Sequence, residues 1–330
     1  MPSLDDLGHD EFELLARVAH RYYADGLTQE ALAREFGLSR PKVQRLLDRA
    51  RAAGVVDIRI ATPPGLHLDL EHALRERFGL SEAIVAPARV DPEAQRAEVA
   101  RAAASYLERR LEDGVVVAVS HGRDTGEVPR FFAPRRRLSA TFVSAMGGSP
   151  LVDSPTNPNE IVRRLADRCG GQAVGLYAPA SVESARMRAQ LLREPAVAET
   201  LGIAARASIA LVGIGGTDDG CTMVRNGSVS LEEIRRLREA GAVGDVLGNY
   251  VDVDGGLVES PETARLVSLS LDELHAIDTV VVVVSEAEKP FAILGVLRTG
   301  VVDVLVIDEG NARFLAEPAR EATLRPMTEV

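Results

Sequence analysis

Two sets of residues in this chain have the types and spacing to do chemistry. The first lies between Arg34 and Arg51, where six basic residues stand against only Glu35 and Asp48. That is a local formal charge of +4 in a 330-residue protein whose overall formal charge is −11. Helical spacing puts Val43, Leu46, Leu47 and Ala50 on one face, to pack on Ala31, Leu32 and Phe36, and sends Arg40, Gln44 and Arg45 outward, with Lys42 and Arg49 at the flanks. Arginine and glutamine suit bidentate hydrogen bonds to base edges in a DNA major groove, and lysine suits phosphate. The second set is a series of short polar or glycine-rich segments, each placed after a β-branched run or between elements. They are Ser120–Thr125 (SHGRDT), Gly147–Pro150 (GGSP), Gly213–Thr217 (GIGGT), Gly244–Asp245, Glu286–Lys289 and Asp308–Glu309. Any one of these loops could be explained by close helix–strand packing. Several of them ending successive parallel strands point to one shared ligand cleft at the carboxyl edge of a sheet.

The elements that must position these residues are legible in the periodicity. FELLARVAHRYYADG places Leu14, Leu15, Val18, Ala19 and Tyr22 on one helical face and stops at Gly26. A second helix follows with Thr28 as N-cap and Gly37 as its stop. A third begins with Ser39 as N-cap and Pro41 in its first turn, where a missing N–H costs nothing. The second and third helices form a helix-turn-helix whose candidate DNA contacts are Thr28, Gln29, Ser39, Arg40, Pro41, Lys42, Gln44, Arg45 and Arg49. VVDIRI then reads as a short strand, and Thr62–Gly65 (TPPG) as a linker. The expected division is therefore residues 1–62 for DNA and 63–330 for effector binding and oligomerisation.

Beyond the linker LHLDLEHALRERFG is an amphipathic helix suited to pairing subunits. Runs such as EAIVAP, GVVVAVS, ATFVSAMGG, AVGLYAP, SIALVGIGG, TVVVVVSE and VDVLVIDE then alternate with helical stretches. Uninterrupted Val/Ile runs between helices predict an α/β domain, with a Rossmann-like parallel sheet covered on both faces.

The segment YYADGLTQEALAREFGLSRPKVQRLLDRARAAGVVDIRI closely resembles the winged-helix-like DNA-binding module of SorC-type, sugar-responsive transcriptional regulators, and the resemblance runs to VDVLVIDEGNARFL. It implies a large domain similar in fold to phosphosugar isomerases and deaminases that serves as a sensor. It also implies operator DNA and a small carbohydrate (sugar, polyol or sugar phosphate) as partners, and a homo-oligomer, dimer or tetramer. By the same resemblance, the loop Ser120, His121, Gly122, Arg123, Asp124, Thr125 matches the family's strand-end loop, and Gly147, Gly148 and Ser149 match its diglycine turn. Asp245 stands where the family binds sugar hydroxyls, and Lys289 where it contacts an anionic group. Gly215 and Gly216 complete the effector set. The chain departs from the family pattern at His121, which replaces an aromatic, at Asp124, which replaces threonine, and at Glu286, which replaces glycine. Extra carboxylates beside an anion site would repel phosphate unless Arg123 or a protonated His121 pairs with them, so the departures favour a neutral polyol or sugar.

Composition excludes several alternatives. A hydrophobic fraction of 46% fits an ordinary globular protein. Apolar runs such as Val280–Val284 fall far short of the roughly 20 residues of a membrane helix. The opening MPSLDDLGHDEF lacks the basic and apolar regions of an export signal, so a cytoplasmic protein is expected. Cys169 and Cys221 are isolated and read as small buried hydrophobes, without a metal or disulfide pattern. No cofactor is expected and no nucleophile–base–orienter set is readable, so an isomerase or deaminase with an appended helical module, using Asp124, Asp245, Glu286 or Asp308 as base, stands as the alternative.

Overall fold

A computed structural model describes residues 8–56, 65–149, 154–286 and 289–317. Most of the expected Val55–Ile60 strand, most of the Thr62–Gly65 linker, and Pro150 lie outside the described residues. The chain divides into two compact units, Met1–Thr62 and Pro63–Val330.

Among its described residues the first unit holds three helices, α1 (His9–Tyr23), α2 (Gln29–Glu35) and α3 (Arg40–Ala52). Val18, Leu32, Val43 and Leu47 form its small core, with Phe36 and Leu46 packed against them. Ala50 packs with Leu15 and Ala19 of α1, not with α2 as the spacing suggested. Thr28 caps α2 through its hydroxyl, which accepts from the Ala31 N–H at 3.2 Å. Ser39 holds the cap position of α3, but its side chain makes no capping bond; only the backbone of the sequence-based expectation survives there.

The second unit opens with α4 (Leu68–Phe78), β1 (Glu82–Ala86), α5 (Pro92–Arg110), β2 (Val116–Val119), α6 (Arg123–Phe131) and β3 (Thr141–Ser144). It continues with α7 (Pro158–Cys169), β4 (Gln172–Val174), α8 (Ala185–Leu191), α9 (Pro195–Ala205), β5 (Ile209–Gly213) and β6 (Gly215–Gly216). Then come α10 (Thr222–Arg225), α11 (Leu231–Glu239), β7 (Gly244–Val246), β8 (Asn249–Val251) and α12 (Leu271–His275). It closes with β9 (Thr279–Val284), α13 (Pro290–Arg298), β10 (Val304–Asp308) and α14 (Glu309–Ala316). Seven strands form a parallel sheet in the order β1-β10-β9-β5-β2-β3-β4, and β6-β7-β8 form a small antiparallel sheet.

The two faces of the large sheet sort alternate residues into two cores, the period-2 signature of a strand. Val281, Val283, Val304 and Val306 join one core with Val99, Ala103 and Leu107 of α5. Val280, Val282, Leu305 and Ile307 join the other with Leu237 of α11, Ile293 of α13 and Leu315 of α14. With both faces buried, valine runs are what such strands require. The expected subunit-pairing helix, α4, turns its Leu74 into this second core, with Leu70 and Phe78 packed against it. Leu68 at its start stays exposed. Among the described residues no helix is long and apolar enough to cross a membrane.

The strand order reverses between β2 and β5. The chain leaves β2 toward β3 and β4, and leaves β5 toward β9 and β10. Ligands in open α/β sheets lie outside the carboxyl ends of strands at such a point.

Candidate functional site

At that reversal the ends of β2, β5 and β9 open onto a small cleft with a free volume of about 20 Å³. Ser120, His121, Gly122, Arg123 and Asp124 line it from the β2–α6 connection. Gly215 and Gly216 come from β6, Asp245 from β7, and Glu286 and Lys289 from the β9–α13 connection. The structure thus brings ten of the fourteen predicted effector residues to one place. Thr125 is buried in the first turn of α6, where its hydroxyl donates to the Gly122 carbonyl at 3.3 Å, and it does not line the cleft.

Gly147, Gly148 and Ser149 do not line it either. Gly148 and Ser149 face a separate open groove with Asn157, Asn159 and Tyr177. Gly147 is glycine for packing: a Cβ there would fall 2.3 Å from the Pro179 carbonyl oxygen.

The cleft is dense in buried charge. Glu286 is the hub: its carboxylate lies 2.5 Å from Lys289 Nζ, 2.7 Å from Arg123 Nη2 and 3.5 Å from Arg96 Nη2. Burial would raise its pKa, but Lys289, Arg123 and Arg96 outweigh burial and hold it below the ordinary glutamate range. Lys289 also donates to the Ile214 carbonyl at 3.0 Å, beyond the end of β5. Asp124 accepts from the Ser285 hydroxyl at 2.5 Å and the Ser285 N–H at 3.2 Å, with Arg96 Nε 3.5 Å away. Burial, and then the nearby Glu286, push its pKa up. His121 touches the Met146 sulfur, and burial followed by Lys289 lowers its pKa to about 4. It is a neutral imidazole at physiological pH, so Arg123 and not a protonated His121 is the group that pairs with the extra carboxylate.

Asp245 differs from the other two carboxylates. Its Oδ2 accepts from the Gly248 N–H at 2.8 Å, while its buried Oδ1 has neither a hydrogen bond nor an ion pair among the described residues; the Glu286 oxygens also lack hydrogen bonds but are ion-paired. Burial lifts its pKa to about 6. An unpaired buried acceptor is costly and calls for a donor from outside the protein. Asp245 was read as part of a loop, whereas it sits in β7 directly opposite Gly215 of β6 and Tyr250 of β8. A Cβ at position 215 would lie 1.9 Å from Asp245 Oδ1, so that glycine sets where the carboxylate stands. Gly215→Ala is therefore expected to displace Asp245 and weaken effector binding at least tenfold, read by ligand-induced thermal stabilisation. Unchanged stabilisation would show that the carboxylate position is not set there.

Sequence reasoning missed Arg96, Ser285 and Asn311. Arg96 is the one with a detectable signal: it lies four residues before Ala100 on the buried stripe of α5, a charge where the pattern calls for an apolar residue. Asn311, at the start of α14, donates to the Glu286 carbonyl at 3.0 Å and to Asp308 at 2.6 Å and so braces the β9–α13 connection. Among the described residues no group of three or more His, Cys, Asp or Glu could hold a metal ion.

In the first unit α3 presents Arg40, Lys42 and Arg45 to solvent, and none has a partner among the described residues. Arg49 is instead ion-paired with Glu11 of α1 at 2.8 Å. Gln44 is half-buried; it accepts from Gln29 and donates to Asp48 at 2.9 Å. Gln29 thus joins the start of α2 to the middle of α3, and the Gln44 amide is held from both sides. Thr28, Ser39 and Pro41 lie exposed around the α2 and α3 starts.

Comparison with known proteins matches both units. The family described as a sugar-binding domain matches residues 63–317, and a helix-turn-helix domain family matches residues 16–59. The transcriptional regulator LsrR of Klebsiella pneumoniae subsp. pneumoniae is 34% identical over 310 residues, 92% of this chain and 92% of that protein. The erythritol catabolism regulatory protein EryD of Brucella abortus is 30% identical over 308 residues, covering 92% and 96%. The crystal structure of the full-length sorbitol operon regulator SorC of Klebsiella pneumoniae superposes with a TM-score of 0.72 at 26% identity, covering 93% of this chain and all of that one.

Proposed function

The chain belongs to the SorC-type family of sugar-binding transcriptional regulators, and from that premise we propose that α3 reads operator DNA while the cleft at the β2/β5 reversal binds the carbohydrate effector. It is a helix-turn-helix regulator and not an enzyme: its full-length relatives are regulators, so the isomerase or deaminase alternative is set aside. The observation that carries the site assignment is the buried Asp245 Oδ1, which lacks a partner inside a cleft otherwise closed by ion pairs. A hydroxyl donor from a sugar or polyol satisfies it.

Arg40 and Arg45 contact base edges, Lys42 a phosphate, and Gln44 reads a base from a position fixed by Gln29 and Asp48. Arg49, paired to Glu11, supports α3 and contributes less. The protein works in the cytoplasm as a homo-oligomer, dimer or tetramer, with residues 1–62 for DNA and 63–330 for the effector. Effector closure of the cleft changes the spacing of paired helix-turn-helix units, which must match DNA half-sites.

The DNA reading is tested by gel shift with DNA upstream of the protein's own gene, at physiological salt, with and without sugars. Arg45→Ala is expected to cost about 1–3 kcal/mol of site-specific affinity and to relax preference at one base position. Lys42→Ala is expected to weaken all sequences alike and to lower the salt slope by about one. An Arg45 variant with full operator affinity removes that residue from the interface.

A further inference from the structure

We propose that Glu286 is a built-in counter-ion which fills the anion subsite of the cleft from within and restricts the effector to uncharged polyhydroxy compounds, excluding their phosphate esters. The proposal rests on the cleft being the effector site and concerns what that site admits.

Three cationic side chains from three different elements converge on one carboxylate. Lys289 comes from the cap of α13, Arg123 from the first turn of α6 and Arg96 from the first half of α5. Such a convergence on one point is what an anionic ligand needs. Here the point is occupied by Glu286, itself only 8% exposed. The second carboxylate, Asp124, shares Arg96 and lies close enough to Glu286 to feel its charge. Counting Asp245 as well, three carboxylates stand against three cations, so the cleft is neutral before any ligand arrives.

A phosphate ester would add between one and two further negative charges. To reach Lys289 and Arg123 it must also evict Glu286, leaving a buried carboxylate without partners. Among the described residues no other cation lines the cleft. What the cleft still offers is neutral hydrogen bonding. Asp245 Oδ1 accepts, and the uncharged His121 ring also lines the cleft. Hydroxyl groups match that set, and a doubly charged ester does not.

The experiment measures thermal stabilisation of the full chain by matched pairs: ribitol, xylitol, sorbitol and ribose against their phosphate esters, with inorganic phosphate as an anion probe at constant ionic strength. The wild type is expected to respond to at least one neutral compound, with the corresponding ester binding at least tenfold more weakly, and not to inorganic phosphate. Glu286→Gln is expected to gain a response to inorganic phosphate and to the esters. A wild type stabilised more by an ester than by its neutral parent overturns the proposal, and this arm needs no variant to fold. If no polyhydroxy compound stabilises the wild type, the effector reading of the cleft fails. In that case the counter-ion role stands if Glu286→Gln gains inorganic phosphate binding, and falls if it does not.

Discussion

Asp245→Asn is expected to make the ligand-free protein more stable at neutral pH while weakening its effector at least tenfold. Burial lifts the Asp245 pKa from 3.8 to about 6, so its carboxylate is ionised at pH 7.5 at the expense of folding. The sign follows from proton binding. Between pH 3.8 and 6 the folded state holds a proton that the unfolded state has lost, so the contribution of Asp245 to stability is full below pH 3.8 and is lost as pH rises through 6. The shift corresponds to about 2–3 kcal/mol of native-state destabilisation above pH 6. Asparagine does not titrate, so the stability difference between variant and wild type grows across that window. At pH 7.5 the gain amounts to a melting temperature higher by roughly 4–12 °C, less whatever the new amide N–H₂ loses by lacking an acceptor. The same substitution exchanges a charged acceptor for a neutral one, and a hydrogen bond to a charged group contributes about 1.5–3 kcal/mol. Melting curves at pH 4.5 and 7.5, with and without a stabilising polyol, check both halves. A stability difference independent of pH would show that Asp245 does not carry the expected burden.

Lys289→Met is expected to destabilise the effector domain and to abolish the effector response, with operator affinity unchanged. Lys289 is the nearest partner of Glu286 and also satisfies the Ile214 carbonyl, so methionine leaves both short of a donor. Breaking a buried ion pair from one side costs about 3–5 kcal/mol, and the lower end applies here because Arg123 remains 2.7 Å from Glu286. That is a fall in melting temperature of roughly 6–12 °C. Combining it with Glu286→Gln removes the stranded charge, and the pair should recover about 1 kcal/mol or more relative to additivity. A single variant that melts within a degree of wild type, or that still answers to effector, would place the lysine outside the machinery.

These expectations rest on geometry that was only partly visible in the sequence. The β9 and β10 strands and the helix-turn-helix were legible because they obey local rules: uninterrupted valines, a threonine cap, a proline in the first turn. The antiparallel trio β6, β7 and β8 was not. GIGG and GAVGD carry glycine where strands carry β-branched residues, and the close approaches of Asp245 to Gly215 and of Ala292 to Gly244 explain why. The α6 helix was hidden by Gly126 and Pro129, which read as loop residues. Within the cleft, residues at strand ends were found because chain order delivers them there. Arg96 and Asn311 arrive from helices remote in sequence, and the separation of Gly147–Ser149 from the cleft depends on how Pro179 packs. No spacing rule conveys either.

The use of arginine almost everywhere else leaves this protein with two lysines, Lys42 exposed on α3 and Lys289 buried in the cleft. Besides the terminal amine, those are the only primary amines in the chain, and the proposed function gives each a different task. One amine-acylating reagent followed by peptide mass spectrometry therefore reads both ends of the switch in a single sample. Labelling of Lys42 is expected to fall when operator DNA is added, and that of buried Lys289 to be slow and to slow further with effector. The protein carries its own two-channel occupancy reporter, with no engineered dye.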